Sequence, residues 1–234
     1  MDALIEFGRG PLFRFAVAIA LLGISRHAIL SVIGFIRLRA RVGDKRLAYG
    51  AIALNTLRRL NPLKYLVSSR WYYTVLSVAF HVGLILVPIF YLGHIRLWRS
   101  GLGFGWPALP GPVADVLSLI TIVSAMLLLA ARAWWKESRA ISKAQDWLLP
   151  PLIAIAFLSG YLLAHPAQNP FDFSITMFVH VWVGDLLLLI TPFTKIVHCT
   201  LLPFSQLVAE MAWRMVPGAG RDAVKTLGKE GQAI

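Results

Sequence analysis

A chain of 234 residues that is 58% hydrophobic and only 15% charged is too apolar for a water-soluble domain. Its formal net charge of +12 does not mark a nucleic-acid binder, because the lysines and arginines gather in alternate connections between apolar runs, as topology signals do. The single cysteine, Cys199, excludes an intramolecular disulfide, and with no CxxC or CxxCH neither a cysteine-held cluster nor a thioether-linked porphyrin is encoded.

Five apolar segments follow one another. Asp2, Glu6 and Arg9 precede the first, and no small-residue cleavage site suggests a signal peptide. The first segment covers about 11–36 and is interrupted by Arg14 and by Ser25-Arg26-His27. The connection after it carries Arg39, Arg41, Lys45, Arg46, Arg58, Arg59, Lys64 and Arg70 against Asp44. Within it, Leu47 to Leu60 reads as an amphipathic helix lying on a membrane surface. The second segment, 71–98, opens on Trp71, Tyr72 and Tyr73 and closes on Trp98, as an aromatic belt would place them. A Gly- and Pro-rich connection without lysine follows. The third segment covers about 113–134, and Lys136, Arg139 and Lys143 come after it. The fourth, about 147–164, is followed by a loop without lysine or arginine. The fifth covers about 175–202, in the apolar stretch Met177 to Phe204. A polar tail over about 205–234 bears Arg214, Arg221, Lys225 and Lys229.

Connections 1–2 and 3–4 and the tail are basic, whereas the N-terminus and the other two connections are not. The positive-inside rule then predicts five spans with the N-terminus outside and the C-terminus in the cytoplasm. The expected fold is an all-α integral membrane protein, a single five-transmembrane-helix bundle over 1–234, with the lipid bilayer as its surroundings.

Histidine inside a membrane helix is costly and is usually paired or coordinating. The fifth segment holds His180 and His198. On an unbroken helix their spacing returns to the same face, about 27 Å further along. The second segment holds His81 and His94. Because the two segments run in opposite directions, the depths match in pairs, His81 with His198 and His94 with His180. Neutral imidazole is the usual protein ligand of haem iron, and antiparallel helices can clamp one porphyrin between two histidines. On an ideal helix His81 and His94 would be rotated by about 220° and only about 20 Å apart. Pro88 between them predicts a kink. Gly83, Gly93 and Gly184 stand near these positions, where small residues let a macrocycle or another helix approach. A metal transporter, the rival use of such residues, would cluster them at one depth. Polar packing of the histidines is the plainer alternative.

These residues resemble a known family. FHVGLILVPIFYLGH in the second segment, HVWVGDLLLLITPFTKIVH in the fifth and the Leu202 to Ser205 run look like the dihaem cytochrome b subunit (gamma) of respiratory nitrate reductase. They look still more like the shorter relatives in sulfate-reducer membrane complexes with a heterodisulfide-reductase-like iron–sulfur protein. The resemblance covers most of Trp71 to Phe204. It implies an inner haem b on His81 and His198 and an outer one on His94 and His180. It further implies residence in the cytoplasmic (inner) membrane and quinone chemistry, usually with menaquinone. The implied partners are a cytoplasmic iron–sulfur subunit and other membrane and periplasmic subunits, so the chain would be an electron-transfer subunit of an oxidoreductase complex. A haem-free membrane anchor is the second expectation, and a small transporter the third.

Arg26, His27 and Asp185 are the other polar residues deep in the spans. Arg26 could meet a haem propionate or pair with Asp185, and Asp185 could carry a proton; the plainer expectation is a structural ion pair, or a shift of the first segment that brings Arg26 to an interface. Lys195 is expected to snorkel to the surface.

Overall fold

The computed structural model describes residues 1–41, 49–61, 71–215, 219–226, 228 and 230. Lys45, Arg46, Lys64, Arg70 and Lys229, and the first two residues of the expected surface helix, lie outside the described residues. No strand occurs among those described. Five helices are long and apolar enough to cross a membrane.

The chain packs as two compact units. The first comprises residues 1–23 and 62–199, and the second residues 24–61 and 200–234.

In the first unit, α1 (Asp2–Phe7) leads through a π turn (Gly8–Leu12) into α2 (Phe13–Arg41), so the helix begins nine residues before the expected start at Pro11. Pro11 lies inside the turn. Its ring would clash with the carbonyl four residues back in regular α geometry, and the wider π register relieves that clash. The remaining spans are α4 (Trp71–Phe90), α6 (Gly111–Trp134), α8 (Ala144–Ala164) and α9 (Phe173–Ile190). Each packs against the next, while α1 and the π turn pack on α9. Short α5 (Leu92–Leu102) and α7 (Lys136–Ala140) follow α4 and α6. Asp172 caps α9, its Oδ1 accepting from Ser174 N–H at 2.8 Å and Ile175 N–H at 3.2 Å.

Phe80, Val87, Ala125, Ile153, Ala154 and Phe157 form the buried core. The buried face of α6 is built of small residues, Ala114, Ser118, Thr121, Ser124 and Ala125. Ser118 and Thr121 donate to their own helix at Ala114 O (2.8 Å) and Leu117 O (2.7 Å), so their hydroxyls are satisfied away from water. The opposite face of α6 exposes Val116, Leu119, Ile120, Val123 and Leu127. A stripe of that kind suits lipid rather than water. Gly83 lies so close to α6 that a Cβ there would collide with Thr121 Oγ1 and come within 2.8 Å of Leu117 O. Gly83→Val should therefore force α4 and α6 apart, at a cost of about 1–3 kcal/mol. Thermal unfolding in detergent measures it, and a melting temperature unchanged from wild type would refute the close approach.

Two spans expected to be continuous are broken. The second ends at Phe90, and Tyr91 is extended (φ −71°, ψ 130°). The break falls at Tyr91 rather than at Pro88. The three carbonyls that precede it are all taken up: Pro88 O by His94 Nδ1 (3.1 Å), Ile89 O by Trp106 Nε1 (2.8 Å) and Phe90 O by Leu109 N–H (2.9 Å). The Gly- and Pro-rich connection thus folds back and satisfies the helix end. The fifth span ends at Ile190, and 3₁₀ turns at Thr191–Phe193 and Lys195–Val197 precede α10 (His198–Met215). Pro192, at the first of these turns, is buried against Gly23, where a Cβ would collide with the proline ring. His180 and His198 therefore do not share one ideal helix, and the expected rise of about 27 Å between them does not apply.

The second unit contains the rest of α2, α3 (Tyr49–Leu60), most of α10 and α11 (Ala219–Thr226). Ile52 and Thr56 are the buried face of α3, one turn apart. Arg59 Nε meets the buried Glu210 Oε1 at 2.7 Å. Arg26 is exposed on α2.

Candidate cofactor-ligating site

The breaks in the second and fifth segments are what bring the histidines face to face. His81 lies on α4 and His198 begins α10; their Nε2 atoms are 3.4 Å apart, with ring centroids 5.6 Å apart and planes crossed at 69°. His94 lies on α5 beyond the break and His180 on α9; their centroids are 5.8 Å apart and their planes nearly parallel, at 6°. The depth-matched pairing expected from the sequence is thus the pairing in space. The rotation mismatch between His81 and His94 disappears because the chain turns at Tyr91.

All four rings are held from behind. Nδ1 of His81 donates to Ser77 O (2.6 Å), that of His94 to Pro88 O (3.1 Å) and that of His180 to Ala156 O (3.0 Å), while that of His198 donates to Lys195 O. A proton on Nδ1 leaves Nε2 as a bare lone pair. This backing by carbonyls is how metal-ligating histidines are usually fixed in tautomer and direction. Ser77 and Pro88 are separated by about 16 Å of α4 at 1.5 Å per residue, so the two pairs stand at distinct levels.

A metal–imidazole bond is about 2 Å long, so two opposed ligands hold their nitrogens about 4 Å apart across the metal. The 3.4 Å between His81 and His198 needs only a slight opening to reach that span. Gly184 has open space beyond its Cα, with no atom within 4 Å of a Cβ placed there. The donor set and its tautomers fit a porphyrin held between two histidines at each level, and at the first the nitrogens already stand near the spacing such a pair needs.

The glycines divide by role. Gly83 serves the contact between α4 and α6, Gly93 lies against the ring of Tyr91, and Gly184 borders free space. Gly160 carried no signal in the sequence, yet a Cβ there would sit 2.8 Å from His180 Cε1. The bare glycine lets α8 pass directly over the ring, while neighbouring Ser159 Oγ lies 3.2 Å from His180 Nδ1. Its signal is the Ser-Gly pair inside an apolar helix, readable only once the facing ring is known.

Cys199 adds a thiol beside the first pair, with Sγ 3.9 Å from His198 Nε2. His81, His198 and Cys199 could together hold a metal ion. What recurs at the second level is the opposed imidazoles without a thiol, which favours the two-histidine unit as the common element. His165 pairs with Asp115 (3.4 Å) and stacks on Tyr161 at 4.3 Å. Lys195 does not merely snorkel: its Nζ is 2.6 Å from Asp146 Oδ2. Asp185 is 4% exposed, and neither its Oδ2 nor Trp182 Nε1 has a hydrogen-bond partner among the described residues. Both lie near Gly8 of the π turn, so the structural ion pair expected of Asp185 is not formed among the described residues.

Among curated proteins the chain is similar to one of Nitratidesulfovibrio vulgaris (strain Hildenborough), named only "Protein", at 32% identity over 135 residues. The match covers 58% of this chain and 58% of that relative. No family model matches, and no solved structure does.

Proposed function

We propose that the chain is a dihaem b-type cytochrome subunit of a respiratory redox complex in the inner membrane. It carries electrons across the bilayer between a quinone pool, with menaquinone as the candidate, or an outer partner, and a cytoplasmic iron–sulfur subunit resembling heterodisulfide reductase. The observation that carries this reading is the pair of opposed imidazole couples at two levels, each ring tied through Nδ1 to a backbone carbonyl. His81 and His198 would hold the inner haem, and His94 and His180 the outer one. The N-terminus lies outside and the C-terminus in the cytoplasm, following the basic connections.

Bound haem supplies reversible one-electron chemistry at its iron. The chain supplies the rest. Its backbone carbonyls fix the Nδ1–H tautomer of each imidazole and leave Nε2 as the ligand atom. Its apolar spans exclude water and place two ligand pairs across the membrane on different levels. Gly160 and Gly184 keep side chains away from the ring of His180 and from the space beside α9.

Electron passage is tested with the haem-loaded chain in sealed vesicles containing ferricyanide. Dithionite added outside should bleach the enclosed ferricyanide at a rate set by the number of chains. His180→Ala should abolish that rate. Bleaching no faster than in empty vesicles would overturn the wire and leave a membrane anchor for a cytoplasmic partner.

A further inference from the structure

The break before His198 is tethered at a place that neither the ligand pairs nor the bundle core requires. Gln145 and Asp146, in the first turn of α8, reach across to the turn Lys195–Val197. Gln145 Oε1 accepts from the Lys195 backbone N–H at 3.0 Å. Asp146 Oδ2 takes the Lys195 side chain at 2.6 Å. The carbonyl of that same lysine is the acceptor for His198 Nδ1. Lys195 is therefore held by its amide and its ammonium while its carbonyl aims an imidazole.

The tether is itself braced. Asp146 Oδ2 also accepts from the Lys143 N–H at 2.9 Å, capping α8, and its Oδ1 lies 3.9 Å from Arg132 Nη1. Arg132 in turn donates to Ser142 Oγ at 2.8 Å. The Asp146 side chain is only 10% exposed, which strengthens its pairing with two cations beyond that of a surface ion pair. On the preceding side, Pro192 is seated against Gly23. The connection between α9 and α10 is thus pinned at both ends. An irregular segment that presents a ligand needs such support, because a displacement of about an ångström already spoils ligand geometry.

We propose that Gln145 and Asp146 are positioning residues for His198, acting through Lys195. They set the orientation of one imidazole at the first level and leave the second level untouched. The inference rests on the cytochrome reading above and adds a device that this reading does not require.

The test uses the full chain purified with haem, in three variants: Gln145→Ala, Lys195→Met and the conservative Lys195→Arg. Gln145→Ala changes no charge, so it separates orientation from a direct electrostatic effect. The readouts are haem per chain, the midpoint potential of each haem, and the low-spin electron paramagnetic resonance signal, which follows the angle between the ligand planes. Gln145→Ala and Lys195→Met should each move the potential and the signal of one haem and leave the other at its wild-type values; Lys195→Arg should restore both. Two haems with unchanged potentials and signals in Gln145→Ala and Lys195→Met would overturn the tether. So would equal disturbance of both haems, which would mark a general packing role. A wild-type chain that binds no haem would overturn the cytochrome reading itself, and is seen before any variant is made.

Discussion

If the chain is the proposed dihaem cytochrome, His180→Ala should leave one haem per chain instead of two, and His198→Ala should remove the other. Each substitution deletes one of two opposed ligands and leaves its partner ring, His94 or His81, still tied to a carbonyl but facing a void. The carbonyls that back His81 and His94 are separated by about 16 Å of α4, so loss at one level should not spread to the other. The two single variants should therefore have complementary spectra that sum to that of the wild type. The double variant should bind none. Loss of both haems in either single variant would mean that the levels are not independent.

Gly160→Val should mimic His180→Ala without touching a ligand. A Cβ at this position already falls 2.8 Å from His180 Cε1, and the added methyl groups make it worse. Either the ring rotates off its line toward His94 or α8 moves away from α9. Relief by rotation breaks the bond from His180 Nδ1 to Ala156 O as well. The expected result is a fall of haem content by about half, with the haem of His81 and His198 retained, for an overpacking cost of about 1–3 kcal/mol. Haem quantification with the visible spectrum checks it. Full retention of both haems would show that the space over His180 is not needed.

Much of this architecture could be read from the residues. Length, apolarity and the alternation of basic connections give five helices of spanning length, and the opposite directions of the second and fifth segments match His81 with His198 and His94 with His180, the rings that lie close together in the structure. Periodicity could not supply the breaks. The halt at Tyr91 depends on Trp106 and Leu109 reaching back to freed carbonyls, a long-range event that no local propensity encodes. Pro88 pointed to the right neighbourhood, three residues early. Pro192 gave a similar hint in the fifth segment that the eighteen-residue spacing obscured, because that spacing is persuasive only on an unbroken helix. Gly160 was silent because a small residue in an apolar helix has many uses. Lys195 read as a snorkelling side chain because its partner Asp146 lies on another helix. Residue chemistry and segment direction thus carried the site, while its exact aim came from tertiary contacts.

The most direct test of the central claim is haem quantification on the purified wild-type chain, with a reduced-minus-oxidised visible spectrum and a low-temperature paramagnetic resonance spectrum of the oxidised form. The account predicts two low-spin b haems per chain. It also predicts two distinct signals, because one ligand pair is crossed at 69° and the other nearly parallel at 6°. A chain produced with haem in ample supply that carries none would contradict the account.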